Sequence, residues 1–248
     1  MEFAPAFQVH GSIPVLPSTA APPTASPRSL NGNGGNPYGS LTLASNGKLY
    51  GITSSGGVNN SGVIFSLDPL TLTYTKLKDL AYSTGSNPYG NLLEASDGKF
   101  YGLTNAGGSK GAGVIFSFDP ITSVYTKLFD FGGPNGASPT GSLMQAKDGK
   151  LYGVTYNGGI NEWGVLFSFN TTNGIYKKLA DFNGTVTGIN PGGTLVQASN
   201  SILYGMCAYG NSGTIFSFTP STKTLTKVED FTDGATPLGS LTRGADNK

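Results

Sequence analysis

The feature that most constrains this chain is a four-fold repeat with a period of about 50 residues. The triplet Leu49-Tyr50-Gly51 recurs as Phe100-Tyr101-Gly102, Leu151-Tyr152-Gly153 and Leu203-Tyr204-Gly205; these four are called the Leu-Tyr-Gly triplets below. A segment of the type Gly-x-Ile-Phe-Ser follows in every copy, and a Pro-x-Gly-x-Leu segment begins at residues 37, 88, 139, 191 and 237. Repeats of this length are typical of propellers and solenoids, in which each copy is one supersecondary unit.

Each copy is predicted to form four short β-strands. In the first copy they fall at residues 40–43, 48–53, 63–67 and 74–78, which alternate or are rich in β-branched and aromatic residues. Asn46-Gly47 predicts a type I′ hairpin turn, in which both central residues have positive φ. Four antiparallel strands per copy predict an all-β fold, a β-propeller of four-stranded antiparallel blades.

The repeats divide the chain into blades at about 37–87, 88–138, 139–190 and 191–236, and residues 237–248 start a fifth copy. The N-terminal segment 1–36 is rich in Pro, Ala, Ser and Thr, and from residue 13 onwards it is interpreted as a degenerate half-blade. We expect a fifth blade completed from both termini, using Ser240, Leu241, Val9 and Val15. A four-bladed ring with loose ends and pairing of half-blades between molecules are the alternatives.

The pattern Leu-Tyr-Gly-x-Thr-x-x-Gly-Gly, then Gly-x-Ile-Phe-Ser-x-Asp-Pro, Tyr-Thr-Lys-Leu and Asp-Phe, recurs in register. It resembles the GloVer (Gloeobacter–Verrucomicrobia) tandem repeat over roughly residues 37–248. The resemblance implies a propeller-type repeat in exported bacterial proteins, secreted or attached to the cell surface. That family has no established catalytic residues, so none is transferred here. The fourth copy departs from the pattern, since Tyr209-Gly210 takes the Gly-Gly place.

The composition excludes some partners. Charged residues make up 12% of the chain and the formal net charge is +1, so no basic field favours nucleic acid or anionic lipid. No apolar run approaches the ~20 residues of a membrane-spanning helix, and residues 1–10 do not resemble a secretory signal. Low charge with much Asn, Ser, Thr, Gly and Tyr is typical of extracellular surface proteins. The lone cysteine, Cys207, is predicted to be a buried apolar residue.

Residues that recur in every copy are interpreted as architecture. The aspartates at 79, 130, 181 and 230 could form a ring of metal ligands, but we favour capping of turns through backbone amides. The tyrosines of the Leu-Tyr-Gly triplets are predicted to pack between blades. The lysines at 76, 127, 178 and 227 are predicted to lie on solvated outer strands. No cofactor and no metal site is predicted.

Residues that vary between copies are the candidates for function, and they cluster in the loops between second and third strands. An indole with a neighbouring acid and amide is a platform for a sugar ring or a partner chain; the alternative is that Trp163 covers the neighbouring blade. The candidate ligand-binding residues are Trp163, Glu162, Asn161, Asn60, Lys110 and Tyr209.

No catalytic residue is nominated. The single histidine, His10, has no identifiable partner, and neither a zinc-type cluster nor a phosphate-binding loop occurs. The leading prediction is a non-enzymatic extracellular binding module for a glycan or a surface protein. The first alternative is a structural subunit that self-assembles by exchanging terminal strands. The second is a polysaccharide-acting enzyme, for which the sequence offers the carboxylate pairs Glu94 with Asp130 and Glu162 with Asp181 and favours neither.

Overall fold

The computed structural model describes residues 32–209, 213–232 and 236–244. In these residues sixteen β-strands form four sheets, each of four antiparallel strands in chain order. These are consecutive propeller blades, so the predicted all-β propeller class is confirmed. Helical structure in the same residues is limited to the 3₁₀ turns Tyr82–Thr84 and Gly133–Asn135 and one α-helical turn, α1 (Gly184–Thr187).

The strands follow the repeat closely. Blade 1 contains β1 (Thr42–Leu43), β2 (Leu49–Thr53), β3 (Val63–Asp68) and β4 (Thr73–Asp79). Blade 2 contains β5 (Leu93–Glu94), β6 (Phe100–Thr104), β7 (Val114–Phe118) and β8 (Tyr125–Asp130). Blade 3 contains β9 (Met144–Gln145), β10 (Leu151–Val154), β11 (Val165–Asn170) and β12 (Ile175–Asp181). Blade 4 contains β13 (Ile189–Gln197), β14 (Leu203–Tyr209), β15 (Thr214–Thr219) and β16 (Thr224–Asp230).

The turn between β1 and β2 differs from the predicted type I′ turn. Gly47 has a φ of 79°, but Asn46 has no positive φ. The Gly47 amide donates to the Ala44 carbonyl (2.9 Å), and the Ala44 amide donates to the Lys48 carbonyl (2.9 Å). This is the longer hairpin loop that ends with a glycine in the left-handed region. The Asn46 side chain accepts from the Lys48 amide (3.0 Å), and this Asx contact stabilises the turn without a positive φ at Asn46.

The hydrophobic core lies between neighbouring blades. Tyr50 and Ile64 of blade 1 belong to one buried cluster with Phe100 and Phe116 of blade 2, and two similar clusters join blades 2 to 3 and 3 to 4. The ring centroids of Tyr50 and Phe100 lie 4.3 Å apart. Burial of each such ring contributes about 1.5–3 kcal/mol. The prediction that these tyrosines pack between blades is confirmed for Tyr50 and its counterparts in blades 2 and 3.

The glycine of each Leu-Tyr-Gly triplet makes room for an aromatic ring. Gly102 pairs across the sheet with Phe116, and a Cβ at Gly102 would meet the fully buried Phe116 ring. The same glycine–phenylalanine contact recurs in every blade, at Gly51 with Phe65, Gly153 with Phe167 and Gly205 with Phe216. The constant glycine is therefore required by side-chain packing.

The outer strand of each blade is tied to the connection that precedes the blade. The hydroxyl of Tyr125 donates to the Thr84 carbonyl (2.9 Å), and the hydroxyl of Tyr74 donates to the Asn33 carbonyl (2.6 Å). Asn33 thus takes the place in front of blade 1 that Thr84 takes in front of blade 2. The chain enters blade 1 along the same path by which it enters the next blade.

Blade 4 departs from the others in its first two strands. β13 and β14 pair over a longer stretch, from Ile189 with Tyr209 to Gln197 with Leu203, with an irregularity between Gly192 and Val196. Cys207 is fully buried in β14, and burial raises the pKa of its thiol. The prediction of a buried cysteine is confirmed.

Candidate functional site

One end of the blades carries the variable loops. Because the strands are antiparallel and joined in chain order, the loops between second and third strands lie at the same end as the connections between blades. We call this end the loop face. The Asn87 amide donates to the Ser61 carbonyl (3.0 Å), and the Asn190 amide donates to the Trp163 carbonyl (2.9 Å). The variable loop of one blade therefore supports the connection into the next.

The recurring aspartates hold these loops. Oδ1 of Asp130 accepts from the Ser109 amide (2.7 Å). Asp79 and Asp181 do the same with the amides of Val58 (3.0 Å) and Ile160 (2.9 Å). Capping through backbone amides is thus confirmed in three blades, although the amides belong to the neighbouring loop. In the described residues no group of three or more His, Cys, Asp or Glu side chains is placed to hold a metal ion.

The recurring lysines lie partly exposed on the fourth strand of each blade, as predicted, and they are also ion-paired. Each lies 2.7–3.0 Å from the carboxylate three residues later, in the pairs Lys76–Asp79, Lys127–Asp130, Lys178–Asp181 and Lys227–Asp230. Desolvation raises the pKa of Asp130, but hydrogen bonds from Lys127 and Ser109 outweigh it, and the pKa is lowered overall. The hydrogen bond from Lys227 is the main cause of the lowered pKa of Asp230. The carboxylates of Asp130 and Asp230 are therefore charged at neutral pH.

Trp163 packs against the neighbouring connection and is also partly exposed. Its ring lies over Gly184 of α1, so closely that a Cβ there would meet it, while 38% of the residue remains exposed. The side-chain amide of Asn161 donates to the Phe182 carbonyl (2.9 Å). Glu162 is exposed and its backbone is left-handed, with a φ of 60°. Trp163 therefore covers the connection to blade 4 and presents part of its indole to solvent.

The other candidate residues lie on the same face but in different blades. Asn60 of blade 1 accepts from the Gly56 amide (3.0 Å) and shapes its own loop. Lys110 of blade 2 is exposed, and its aliphatic part lies over Gly132. Tyr209 of blade 4 is hydrogen-bonded to the Tyr156 side chain. Burial and this bond raise the pKa of Tyr156, so the Tyr156 hydroxyl keeps its proton at neutral pH.

The loop face opens into a cavity of about 650 Å³, here called the central cavity, which sequence reasoning missed. All five Pro-x-Gly-x-Leu segments line it through the three residues after each proline, namely 38–40, 89–91, 140–142, 192–194 and 238–240. Tyr156 and Ala208 also contribute to the wall. A signal was present in the sequence: the residue between Pro and Gly changes from copy to copy, as Tyr38, Tyr89, Thr140, Gly192 and Leu238.

The glycine of each Pro-x-Gly segment brings the inner segments close together. A Cβ at Gly39 would meet the backbone of Gly90, and a Cβ at Gly90 would meet that of Gly141. A side chain here would push two inner strands apart. These glycines are therefore required by the close approach of the segments.

Hydrogen bonds between blades fix the polar residues of the wall. The Ser40 amide donates to Oδ1 of Asn91 (2.6 Å), and the Asn91 amide donates to the Ser142 hydroxyl oxygen (2.7 Å). The Thr194 amide donates to the hydroxyl oxygen of Ser240 (2.8 Å). One residue of each pair belongs to the following segment, so these side chains are held by the ring of blades itself.

The other ends of the inner strands line a second opening of about 530 Å³, which we call the basic mouth. Its wall includes Lys147 and Arg243 together with the amides of Gln145 and Gln197. The Lys147 amide donates to Oε1 of Gln197 (2.8 Å), repeating the bonding between blades seen at the loop face. The described wall of the basic mouth thus carries two cationic side chains, whereas the described wall of the central cavity carries none.

Of the residues predicted to close the ring, Ser240 bonds the inner strand of blade 4, and Leu241 lies beside Tyr204 and Val196 in another depression. No β-strand is assigned among residues 236–244, whereas a closing strand was predicted there. A backbone ladder needs a neighbouring strand, and the described residues supply no second strand next to this segment. Val9 and Val15 lie outside the described residues.

The comparisons with known proteins agree with this architecture. The model of the Gloeobacter/Verrucomicrobia repeat matches residues 19–212 and 144–248. No curated protein matches the sequence. Among the residues that the structure describes, none of the helices has the length and apolarity to cross a bilayer.

Two solved structures are similar to this chain. TolB from Acinetobacter baumannii has 16% identity and a TM-score of 0.49, over 82% of this chain and 44% of that one. The extracellular domain of BT4673 from B. thetaiotaomicron has 16% identity and a TM-score of 0.54, over 79% of this chain and 22% of that one. The chain spans less than half the length of either structure. At this identity the likeness concerns the fold alone.

Proposed function

This chain belongs to the Gloeobacter/Verrucomicrobia repeat family, and from that premise we propose that it is a non-enzymatic, extracellular binding module. Its ligand, a glycan or a surface protein, is held on the loop face. The low charged fraction of 12% and the net charge of +1 suit a partner recognised by hydrogen bonds and ring contacts.

The observation that carries this proposal is the asymmetry of the central cavity. Equivalent backbone positions of the five segments carry Tyr38, Tyr89, Thr140, Gly192 and Leu238 around one opening. Blades 1, 2 and 3 are built alike, so the fold does not require the change from Tyr38 and Tyr89 to Thr140. Side chains that differ at equivalent backbone positions can recognise an asymmetric ligand. Cavities formed where several structural elements meet are also common ligand sites.

The side chains around the cavity favour binding over catalysis. Among the described lining residues there is no carboxylate, histidine, cysteine or lysine, so no acid–base pair faces a bound molecule. Tyr156, with its raised pKa, is a hydrogen-bond donor at neutral pH rather than a base. We infer that the module holds its ligand without transforming it.

The test is a glycan array and an affinity capture of surface proteins, each repeated with variants. Trp163→Ala and Tyr209→Ala remove exposed rings from the loop face, and Ile160→Ala removes an exposed side chain from the Trp163 loop as a matched control. We expect binding that weakens in the ring variants and persists in the control. Blank arrays and captures would contradict the proposal. Turnover of a polysaccharide, lost in Glu162→Gln, would instead favour an enzyme.

A second candidate, self-assembly through the termini, is favoured by the way the two ends of the described chain are placed. Ser240 bonds blade 4 as the inner strand of a following blade does (2.8 Å). Asn33 is bonded to blade 1 as the end of a preceding blade is. The position between blades 4 and 1 can thus be filled by the two ends of the same chain or by ends that come from two different chains.

Light scattering across a dilution series tests this second candidate. Exchange of strands between chains predicts oligomers that disappear when residues 237–248 are deleted. A monomer at every concentration, or an oligomer that survives the deletion, would contradict it.

A further inference from the structure

The wall of the central cavity contains an aromatic pair. The rings of Tyr38 and Tyr89 meet edge to face, with centroids 5.0 Å apart and planes at 79°. Tyr38 is 66% exposed, so the pair is packed on itself and open towards the cavity. Edge-to-face packing fixes both rings, and an apolar ring face fixed at a cavity is a surface on which another ring can stack at little entropic cost.

Beside the rings the cavity presents polar groups with unused donors. Oδ1 of Asn91 accepts from the Ser40 amide, and this orients the Asn91 amide nitrogen away from that bond. The hydroxyl oxygens of Ser142 and Ser240 also accept from backbone amides. Within the described residues, neither the Asn91 side-chain amide nor these two hydroxyl hydrogens has an acceptor. These donors are held in place by their own backbone contacts, so they are available to a ligand.

The lack of charged side chains in the described wall further limits the class of ligand that the cavity can bind. The described residues of the wall carry no charge. A charged ligand would lose water there without gaining a counter-ion, which is costly. The charged opening is the basic mouth, with Lys147 and Arg243. The volume of about 650 Å³ lies within the range of sites for small ligands.

We propose that the central cavity binds a neutral saccharide, one sugar ring against Tyr38 and Tyr89 and its hydroxyl oxygens accepting from Asn91, Ser142 and Ser240. The inference rests on the proposed binding function and adds to it a class of ligand and a binding position. Sugar rings combine an apolar C–H face with hydroxyl groups at the edge, which is what an aromatic pair beside fixed donors recognises. A protein partner is less suited, because a stable protein interface needs a broad surface rather than a cavity of this size.

Calorimetric titration of the full chain tests the proposal with cellohexaose, mannohexaose and xylohexaose as neutral probes and hexagalacturonic acid as the acidic probe. We expect one or more neutral probes to bind and the acidic probe to bind more weakly. Tyr38→Ala and Tyr89→Ala should each weaken binding about tenfold, which corresponds to ~1.4 kcal/mol. Tyr38→Phe keeps the ring and should retain binding.

Tyr82→Ala is the matched control, since Tyr82 is an exposed tyrosine outside the cavity wall. Tyr38 is itself exposed, so its variants should unfold at the wild-type temperature, which calorimetry verifies. Absence of binding by all three neutral probes, or neutral binding that is unchanged in both alanine variants, would overturn the proposal. If neutral probes bind equally well to both alanine variants, the proposed binding function stands and only the position of the saccharide is wrong. If no neutral probe binds but a surface protein is captured, the binding function stands without a saccharide. If no probe binds and nothing is captured, both proposals fail.

Discussion

Replacement of Asp130 measures how firmly the recurring aspartates hold the loop face. Asp130→Ala removes a charged acceptor of the Ser109 amide, a bond worth about 1.5–3 kcal/mol. It also removes a partly exposed ion pair with Lys127, worth at most about 1 kcal/mol. The free energy of unfolding should therefore fall by about 2–4 kcal/mol. Asp130→Asn keeps an acceptor for the amide and loses the charge, so it should cost about 1 kcal/mol.

Scanning calorimetry of the wild type and the variants measures this difference. In a domain of this size 1 kcal/mol shifts Tm by about 2–4 °C, so alanine should lower Tm by roughly 4–16 °C and asparagine by roughly 2–4 °C. Lys127→Met removes the ion pair and leaves the amide bond, and it should match the asparagine variant. Equal Tm values for Asp130→Ala and wild type, or for the alanine and asparagine variants, would refute the assignment of the amide bond as the main contribution.

Three further outcomes follow from the packing and the titrating groups. Gly102→Ala places a methyl group against a buried phenylalanine ring and should cost about 1–3 kcal/mol, whereas Gly32→Ala, which meets nothing within 4 Å, should leave Tm unchanged. The lowered pKa values of Asp130 and Asp230 mean that these carboxylates stabilise the fold above the unfolded carboxyl pKa of about 3.9. Tm should therefore be nearly constant between about pH 5 and about pH 8 and fall as the pH drops through the lowered folded values. A Tm that rises on acidification would contradict this. Burial raises the pKa of Cys207, so a thiol reagent should label the protein in denaturant and not in buffer, as mass spectrometry would show.

The sequence determined the blade. Strand positions in the first copy agree with the structure to within two residues. The alternation of apolar and polar residues and the turn residues are local signals, and they recur in every copy. Packing of Tyr50 between blades and capping by Asp79 were likewise predictable, because a residue that recurs at the same place must serve what the copies share. The turn at Asn46 and the pairing of Lys76 were not, since each depended on which hydrogen-bond partner lay nearby.

The central cavity was decided only by the tertiary structure. Its five wall segments lie 46–52 residues apart in the sequence, and each has an unremarkable neighbourhood when it is taken alone. Only the convergence of the inner strands sets Tyr38 beside Tyr89 and aims Asn91 and Ser142 into one space. The sequence determines the strands and recurring residues of each blade, because strand pairing within a blade is local. The site arises from contacts between blades, which no single repeat contains.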